Sequence, residues 1–244
     1  MFVPQCEQQP HALSHDKPPF ICSPDLSMRP SHRGNSPHRP EPDAGLDYRG
    51  LLGHNAPPLV YAAATYPDAL SSEECQQIIA HIDSQDLRRG RLAGGLKAPL
   101  IRSVASEWLD EHQIPWLTER IVKYVARANS SNFPFDLLGF DEGFQVLKYS
   151  GDTLSGPDFY DWHIDMGHTG ASQSRKLSVL IQLSKPDTYQ GGALEVNFDG
   201  AAIPLGTAQG TLCVIPSFTL HRVCPVTAGQ RYSLATWVHG PTFK

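Results

Sequence analysis

The sequence predicts a mainly β fold, a sandwich or barrel of short strands with α-helices packed on its outside. Two observations carry this. After Asn132 the apolar pattern breaks into short segments rich in β-branched and aromatic residues, separated by clusters of Gly, Pro and Asp. Before it, two stretches repeat their apolar residues at helical spacing, and helices ahead of a run of strands fit packing on one face of a sandwich or barrel. Composition agrees: 21 prolines and 20 glycines accompany only 18% charged residues, so turns are frequent.

Along the chain, 11 of the prolines and five of the histidines fall in residues 1–58, with almost no apolar periodicity. A segment that buries little apolar area does not offset its own ordering entropy, so 1–58 is expected to be a flexible Pro/His-rich tail. The scattered His11, His15, His32, His38 and His54 fit solvated tail residues better than a metal site. Residues 59–244 suffice for a single domain. Ser71 and Glu74 have capping-box spacing, and Cys75, Ile78, Ile79 and Ile82 follow at i, i+3, i+4, i+7, which predicts a helix. A second begins at Pro115, a favoured first-turn residue, and continues through Leu117, Ile121, Tyr124 and Val125. The expected strands are 145–149, 160–165, 176–183, 193–198, 211–215 and 232–238. Within the third, Leu177, Val179, Ile181 and Leu183 alternate and so share a face.

Several function classes are disfavoured at once. A formal net charge of -5 gives no basic surface for nucleic acid or an anionic membrane. No stretch is apolar enough for a membrane span, and the first 30 residues hold no signal-peptide core. Five cysteines without CxxC spacing argue against a disulfide framework or a thiolate zinc site. The expected location is cytoplasmic, and the oligomeric state is not legible.

Three groups of residues carry chemistry. His163 and Asp165 are one residue apart on an expected strand, where a period of two turns both side chains to one face with roots about 7 Å apart. His221 follows the strand 211–215 and a Pro-Ser turn. Two imidazoles and a carboxylate are the donor set of non-haem Fe(II) oxygenases, although a zinc hydrolase uses the same ligand types. Ten residues on, Arg231 and Ser233 form another period-2 pair, a bidentate fork beside a hydroxyl, suited to holding a carboxylate. A hydrolase leaves that pair without a task, and a non-catalytic β-barrel binding module is expected to have a damaged triad, whereas here all three ligand residues are intact.

These motifs resemble the 2-oxoglutarate/Fe(II)-dependent dioxygenases. The runs 175–184, 191–195, 216–223 and 231–241 resemble more narrowly the prolyl 4-hydroxylase-like branch with its bacterial hydroxylases; the likeness is dense over 143–241, loose over 61–142 and absent before Leu59. The resemblance implies a double-stranded β-helix of the jelly-roll or cupin kind, buttressed by N-terminal helices. It implies His163, Asp165 and His221 as iron ligands and Arg231 and Ser233 on the distal carboxylate of 2-oxoglutarate, with Tyr149 and Gln182 as further contacts. The cofactor is then Fe(II), the co-substrates 2-oxoglutarate and O2, and ascorbate a reductant. The implied reaction decarboxylates 2-oxoglutarate to succinate and CO2 and hydroxylates an unactivated C–H. The halogenating variants, which vacate the Asp position, are disfavoured by Asp165. A prolyl or other amino-acid-like substrate, peptidyl or small-molecule, is expected, with a free amino acid or a secondary-metabolite intermediate as the alternative.

Around the triad, Tyr160, Trp162 and Trp237 read as core aromatics or pocket walls, Cys213 and Cys224 as small apolar residues with Cys224 also an oxidation target in uncoupled turnover, His168 as a loop residue near the mouth, and Arg102 and Asp141 as salt-bridge partners, with contact to polar groups of the substrate as the alternative.

Overall fold

The computed structural model describes residues 63–83, 101–110 and 112–242. The expected tail 1–58 and its boundary at Leu59 lie outside them. The described elements run β1 (Ala64–Tyr66), α1 (Ser72–Asp83), β2 (Arg102–Ser103), β3 (Ala105–Leu109), α2 (Pro115–Asn132), β4 (Phe144–Ser150), β5 (Phe159–His163), β6 (Arg175–Gln182), β7 (Tyr189–Gly191), β8 (Leu194–Asn197), β9 (Ala202–Pro204), β10 (Leu212–Pro216), β11 (Leu220–Val223) and β12 (Val226–His239). Among the described residues no helix is long and apolar enough to cross a membrane.

Local chemistry sets both helices. The Ser71 N–H donates to Glu74 Oε2 at 2.8 Å and the Glu74 N–H donates to Ser71 Oγ at 3.2 Å, the reciprocal pair that closes the first turn of α1. Buried Cys75, Ile78 and Ile82 form its inner stripe. Helix α2 starts at Pro115, buries Leu117, Ile121, Val125 and Ala128, and stops at Phe133, whose extended backbone precedes Pro134. The Asn129 side chain closes that end, accepting from the Phe135 N–H and donating to its carbonyl. Arg120 ties the helices together through Glu74 at 2.9 Å and the Ala69 carbonyl.

Two antiparallel sheets make the body. The larger has the order β1-β10-β6-β12-β4-β3, with β7 also paired to β12, and the smaller the order β2-β5-β11-β8-β9. Strand alternation sorts the larger sheet into two faces. Leu177, Val179 and Ile181 of β6, Leu234 and Val238 of β12 and Phe144 and Val146 of β4 pack in the cluster that holds α1 and α2. The alternate residues, Leu147 and Tyr149 of β4 with Ala235 and Trp237 of β12, cluster instead with Val223 of the smaller sheet. The helices therefore seal one face, each fully buried aliphatic contributing about 1.5–3 kcal/mol, and leave the space between the sheets for polar side chains at 178, 182, 231 and 233.

Three expectations need correction. The strand expected over 160–165 ends at His163, because the N–H groups of Asp165 and Met166 both turn to donate to the Ser217 carbonyl at 2.9 Å. His221, which follows the expected strand and turn, lies in a further strand not among those expected, β11, paired to β5 and β8. Arg231 stands well inside the 14-residue β12, not at the start of a strand, with β4 on one side of that strand and β6 on the other.

Candidate active site

Strands β5 and β11 are neighbours, and their register sets His163 opposite His221. The pairing then slips, so that Val223 opposes Tyr160; three residues of β5 span what two residues of β11 span. This bulge turns Tyr160 and His163 to the same side, where their rings stack with centroids 3.4 Å apart. Asp165 reaches the same point from beyond the strand end. Its Oδ1 lies 3.7 Å from His163 Nε2 and its Oδ2 lies 3.5 Å from His221 Nε2. The three ligand atoms fall within 4.8 Å of one another, the one such cluster among the described residues.

Each imidazole is held by its other nitrogen. His163 Nδ1 lies 2.7 Å from the Asp161 carbonyl and His221 Nδ1 lies 2.9 Å from the Thr219 carbonyl. A carbonyl only accepts, so both Nδ1 atoms carry the proton and both Nε2 lone pairs face the carboxylate. Burial, followed by the neighbouring His221, pushes His163 down to about 4, which keeps its ring neutral and available as a ligand. Burial alone would raise Asp165, but His221, His163 and the Ser178 hydroxyl outweigh it and hold the carboxyl below its usual range.

The His163 shift has a measurable consequence for the metal-free protein. The folded value of about 4 lies below the ordinary 6.5, so the unfolded chain binds more protons at intermediate pH. Stability present above pH 6.5 is therefore expected to fall as the pH drops toward 4, by on the order of 3 kcal/mol. Urea melts of the metal-free protein across this range check the slope, and an equal slope in His163→Asn contradicts the assignment.

The cavity beside the cluster runs between the sheets and is lined by Tyr149, Leu180, Gln182, Cys213, Arg231, Ser233 and Trp237, among others. Arg231 is 3% exposed; its Nη1 donates to Ser233 Oγ at 3.3 Å, its Nε has no partner, and no acidic side chain among the described residues pairs with it. Tyr149 is fully buried, its hydroxyl without a partner and its ring 5.5 Å from the Arg231 guanidinium. Gln182 also opens on the cavity, while its amide N–H groups donate to Tyr189 Oη and the Ser184 carbonyl at 3.0 Å. Buried, unsatisfied donors around a cation mark the place of an anionic ligand.

The remaining residues divide. Tyr160 and Trp237 line the cavity, whereas Trp162 does not and carries the Arg222 guanidinium 4.6 Å from its ring centroid. Arg102 stands 4.9 Å from the Tyr160 ring, and its buried Nε and Nη2 have no hydrogen-bond partner among the described residues. Asp141 is largely exposed, 3.9 Å from His239, and His168 is exposed. Sequence reasoning missed Ser178, although the alternation that turns Gln182 into the cavity turns Ser178 the same way.

The family model described as the 2OG-Fe(II) oxygenase superfamily matches residues 144–239, the stretch that carries His163, Asp165, His221, Arg231, Ser233, Tyr149 and Gln182. A PKHD-type hydroxylase of Shewanella sp. strain MR-7 is 36% identical over 70% of this chain and 75% of its own. The chain belongs to the 2OG-Fe(II) oxygenase superfamily. As a member it is a 2-oxoglutarate-dependent dioxygenase whose chemistry uses Fe(II), 2-oxoglutarate and O2. A PKHD-type hydroxylase of Colwellia psychrerythraea is 28% identical over the same shares, 70% and 75%. Two solved structures share the oxygenase's fold. A Pseudomonas putida prolyl-4-hydroxylase superposes with a TM-score of 0.57 at 20% identity, covering 75% of this chain and 94% of that one. A Trichoplax adhaerens prolyl hydroxylase, in complex with a hypoxia inducible factor oxygen degradation domain peptide fragment, gives 0.61 at 21%, covering 74% and 84%. The expected fold and reaction class are thus both borne out.

Proposed function

We propose that His163, Asp165 and His221 hold Fe(II), that Arg231, Ser233, Tyr149 and Gln182 hold 2-oxoglutarate, and that the enzyme hydroxylates a prolyl or other aminoacyl carbon. The observation that carries the reading is Arg231: a guanidinium 3% exposed, without a counter-charge among the described residues, opening on the same cavity as three convergent ligand atoms. A dicarboxylate co-substrate fits both, one carboxylate neutralising Arg231 while the other end reaches the metal.

Bound there, the iron supplies the oxidative decarboxylation and hydroxylation chemistry. The chain supplies geometry. The Asp161 and Thr219 carbonyls keep both Nε2 atoms unprotonated, Arg231 and Ser233 fix the far carboxylate, and Tyr149 offers its hydroxyl as a further donor. The apolar walls, including Leu147, Leu180, Leu194 and Val223, keep water from the reacting carbon.

An uncharged, chain-embedded substrate is favoured by the cavity's sparse charge. Among the described residues that line it, the only carboxylate is Asp165 and the only guanidinium or ammonium is Arg231, so both are already assigned. A free amino acid would need a further anchor for its own carboxylate. Arg102, with two buried N–H groups unpaired beside Tyr160, supports that as the second reading. Proline-containing peptides and free amino acids incubated with Fe(II), 2-oxoglutarate and O2 separate the two. The expected result is one added oxygen atom on a peptide, with equimolar succinate. Addition only to a free amino acid or small metabolite overturns the substrate class and keeps the oxygenase reading.

A further inference from the structure

We infer that Ser178 and Ser217 are positioning residues for the Asp165 carboxylate, a hydroxyl relay that sets how the metal-facing oxygens point. The inference rests on the reading of His163, Asp165 and His221 as the iron centre and deepens it. Ser178 Oγ donates to Asp165 Oδ2 at 2.7 Å. The Ser178 and Ser217 hydroxyl oxygens lie 3.1 Å apart, and neither residue has any exposed surface. A serine has one hydroxyl proton, and that of Ser178 goes to the carboxylate. The proton between the two serines therefore comes from Ser217, and the relay has one direction: Ser217 to Ser178 to Asp165. Each bond polarises the next in surroundings that exclude water.

The relay matters because the backbone does not orient this side chain. Asp165 stands beyond the end of β5, and its N–H, with that of Met166, donates to the Ser217 carbonyl. Ser217 thus holds Asp165 twice, by its carbonyl through the main chain and by its hydroxyl through Ser178. The turn that contains it also ends at Thr219, whose carbonyl fixes His221. Its own N–H donates to the Lys176 carbonyl, which ties the turn to β6 two residues before Ser178. One short turn and one serine of β6 therefore determine the mutual placement of two of the three ligand side chains. With Ser178 removed, the carboxylate loses the hydroxyl donor that holds its Oδ2 and is less constrained against rotation away from His221.

Metal affinity tests this without turnover. Mn(II), which is inert to O2 here, is titrated into the metal-free full-length protein and free Mn(II) is counted by electron paramagnetic resonance, for the parent, Asp165→Ala, Ser178→Ala, Ser178→Thr and Ser217→Ala. Ser178→Ala is expected to bind about 10-fold more weakly, the low end of what outer hydrogen-bond partners of metal ligands contribute. Ser178→Thr, which keeps the hydroxyl, is expected to restore affinity, and a smaller loss is expected for Ser217→Ala. A merely structural serine would not be rescued through its hydroxyl. Parent-like affinity in Asp165→Ala overturns the metal-centre reading itself. Loss in Asp165→Ala with parent-like affinity in Ser178→Ala, or equal weakness in Ser178→Thr and Ser178→Ala, overturns the relay alone. Should Ser178→Ala not fold, Ser217→Ala decides, since parent-like affinity there contradicts the relay.

Discussion

His221→Ala is expected to abolish succinate formation and to weaken Fe(II) binding by at least about 100-fold, more than the loss of an outer-shell partner causes. The size of the effect follows from burial and from the number of ligands. His221 is 3% exposed, its Nδ1–H is fixed on the Thr219 carbonyl, and its Nε2 is one of the three ligand atoms that converge among the described residues. The substitution removes the ligand without disturbing the ladder, because β11 pairs with β5 and β8 through main-chain groups. The metal-free variant should therefore keep the strand content of the parent in circular dichroism. Near-parent metal affinity in a folded His221→Ala protein would exclude this residue from the centre.

Arg231→Ala has the second largest expected effect, on the co-substrate. It leaves the far carboxylate of a dianion without its charged fork, which costs about 2–4 kcal/mol, or about 30- to 1000-fold in 2-oxoglutarate affinity. The same change is expected to leave stability without 2-oxoglutarate unchanged or improved. In that state the guanidinium is a buried cation with an unsatisfied Nε and no acidic partner among the described residues, so its removal relieves a desolvation penalty. Arg231→Lys should recover part of the affinity, as a point charge without the fork. Isothermal titration of 2-oxoglutarate into the metal-loaded protein measures the binding loss, and thermal melts without 2-oxoglutarate measure the sign of the stability change. Unchanged affinity in Arg231→Ala moves the co-substrate elsewhere.

The parts of the site legible in the sequence are those that period two or residue type dictates. Arg231 and Ser233 share a face of β12 because a strand alternates, and Leu177, Val179 and Ile181 are buried for the same reason. The capping residues Ser71 and Glu74 and the first-turn Pro115 announce both helices through local hydrogen bonding and steric preference. The stacking of Tyr160 on His163 is not legible, because the bulge that aligns them is defined by β11, a partner 60 residues away in sequence. Asp165 converges with the histidines through a turn held by Ser217 rather than through the strand periodicity that suggests it. Strand β11 is four residues long and follows a Pro-Ser turn, too short for an alternation to register. The early part of β12 is obscured by Gly229, whose positive φ of 71° and close approach to the Thr188 carbonyl suit glycine and break the apolar pattern.

The central claim is that one cavity holds the iron and 2-oxoglutarate together, between His163, Asp165 and His221 at one end and Arg231 at the other. Anomalous diffraction at the iron absorption edge, from anaerobic crystals grown with Fe(II) and 2-oxoglutarate, tests it most directly. A single iron peak is predicted between His163 Nε2, His221 Nε2 and the Asp165 carboxylate, with 2-oxoglutarate density running from that peak to the Arg231 guanidinium. Iron bound by other residues, or 2-oxoglutarate density that does not reach Arg231, would contradict it.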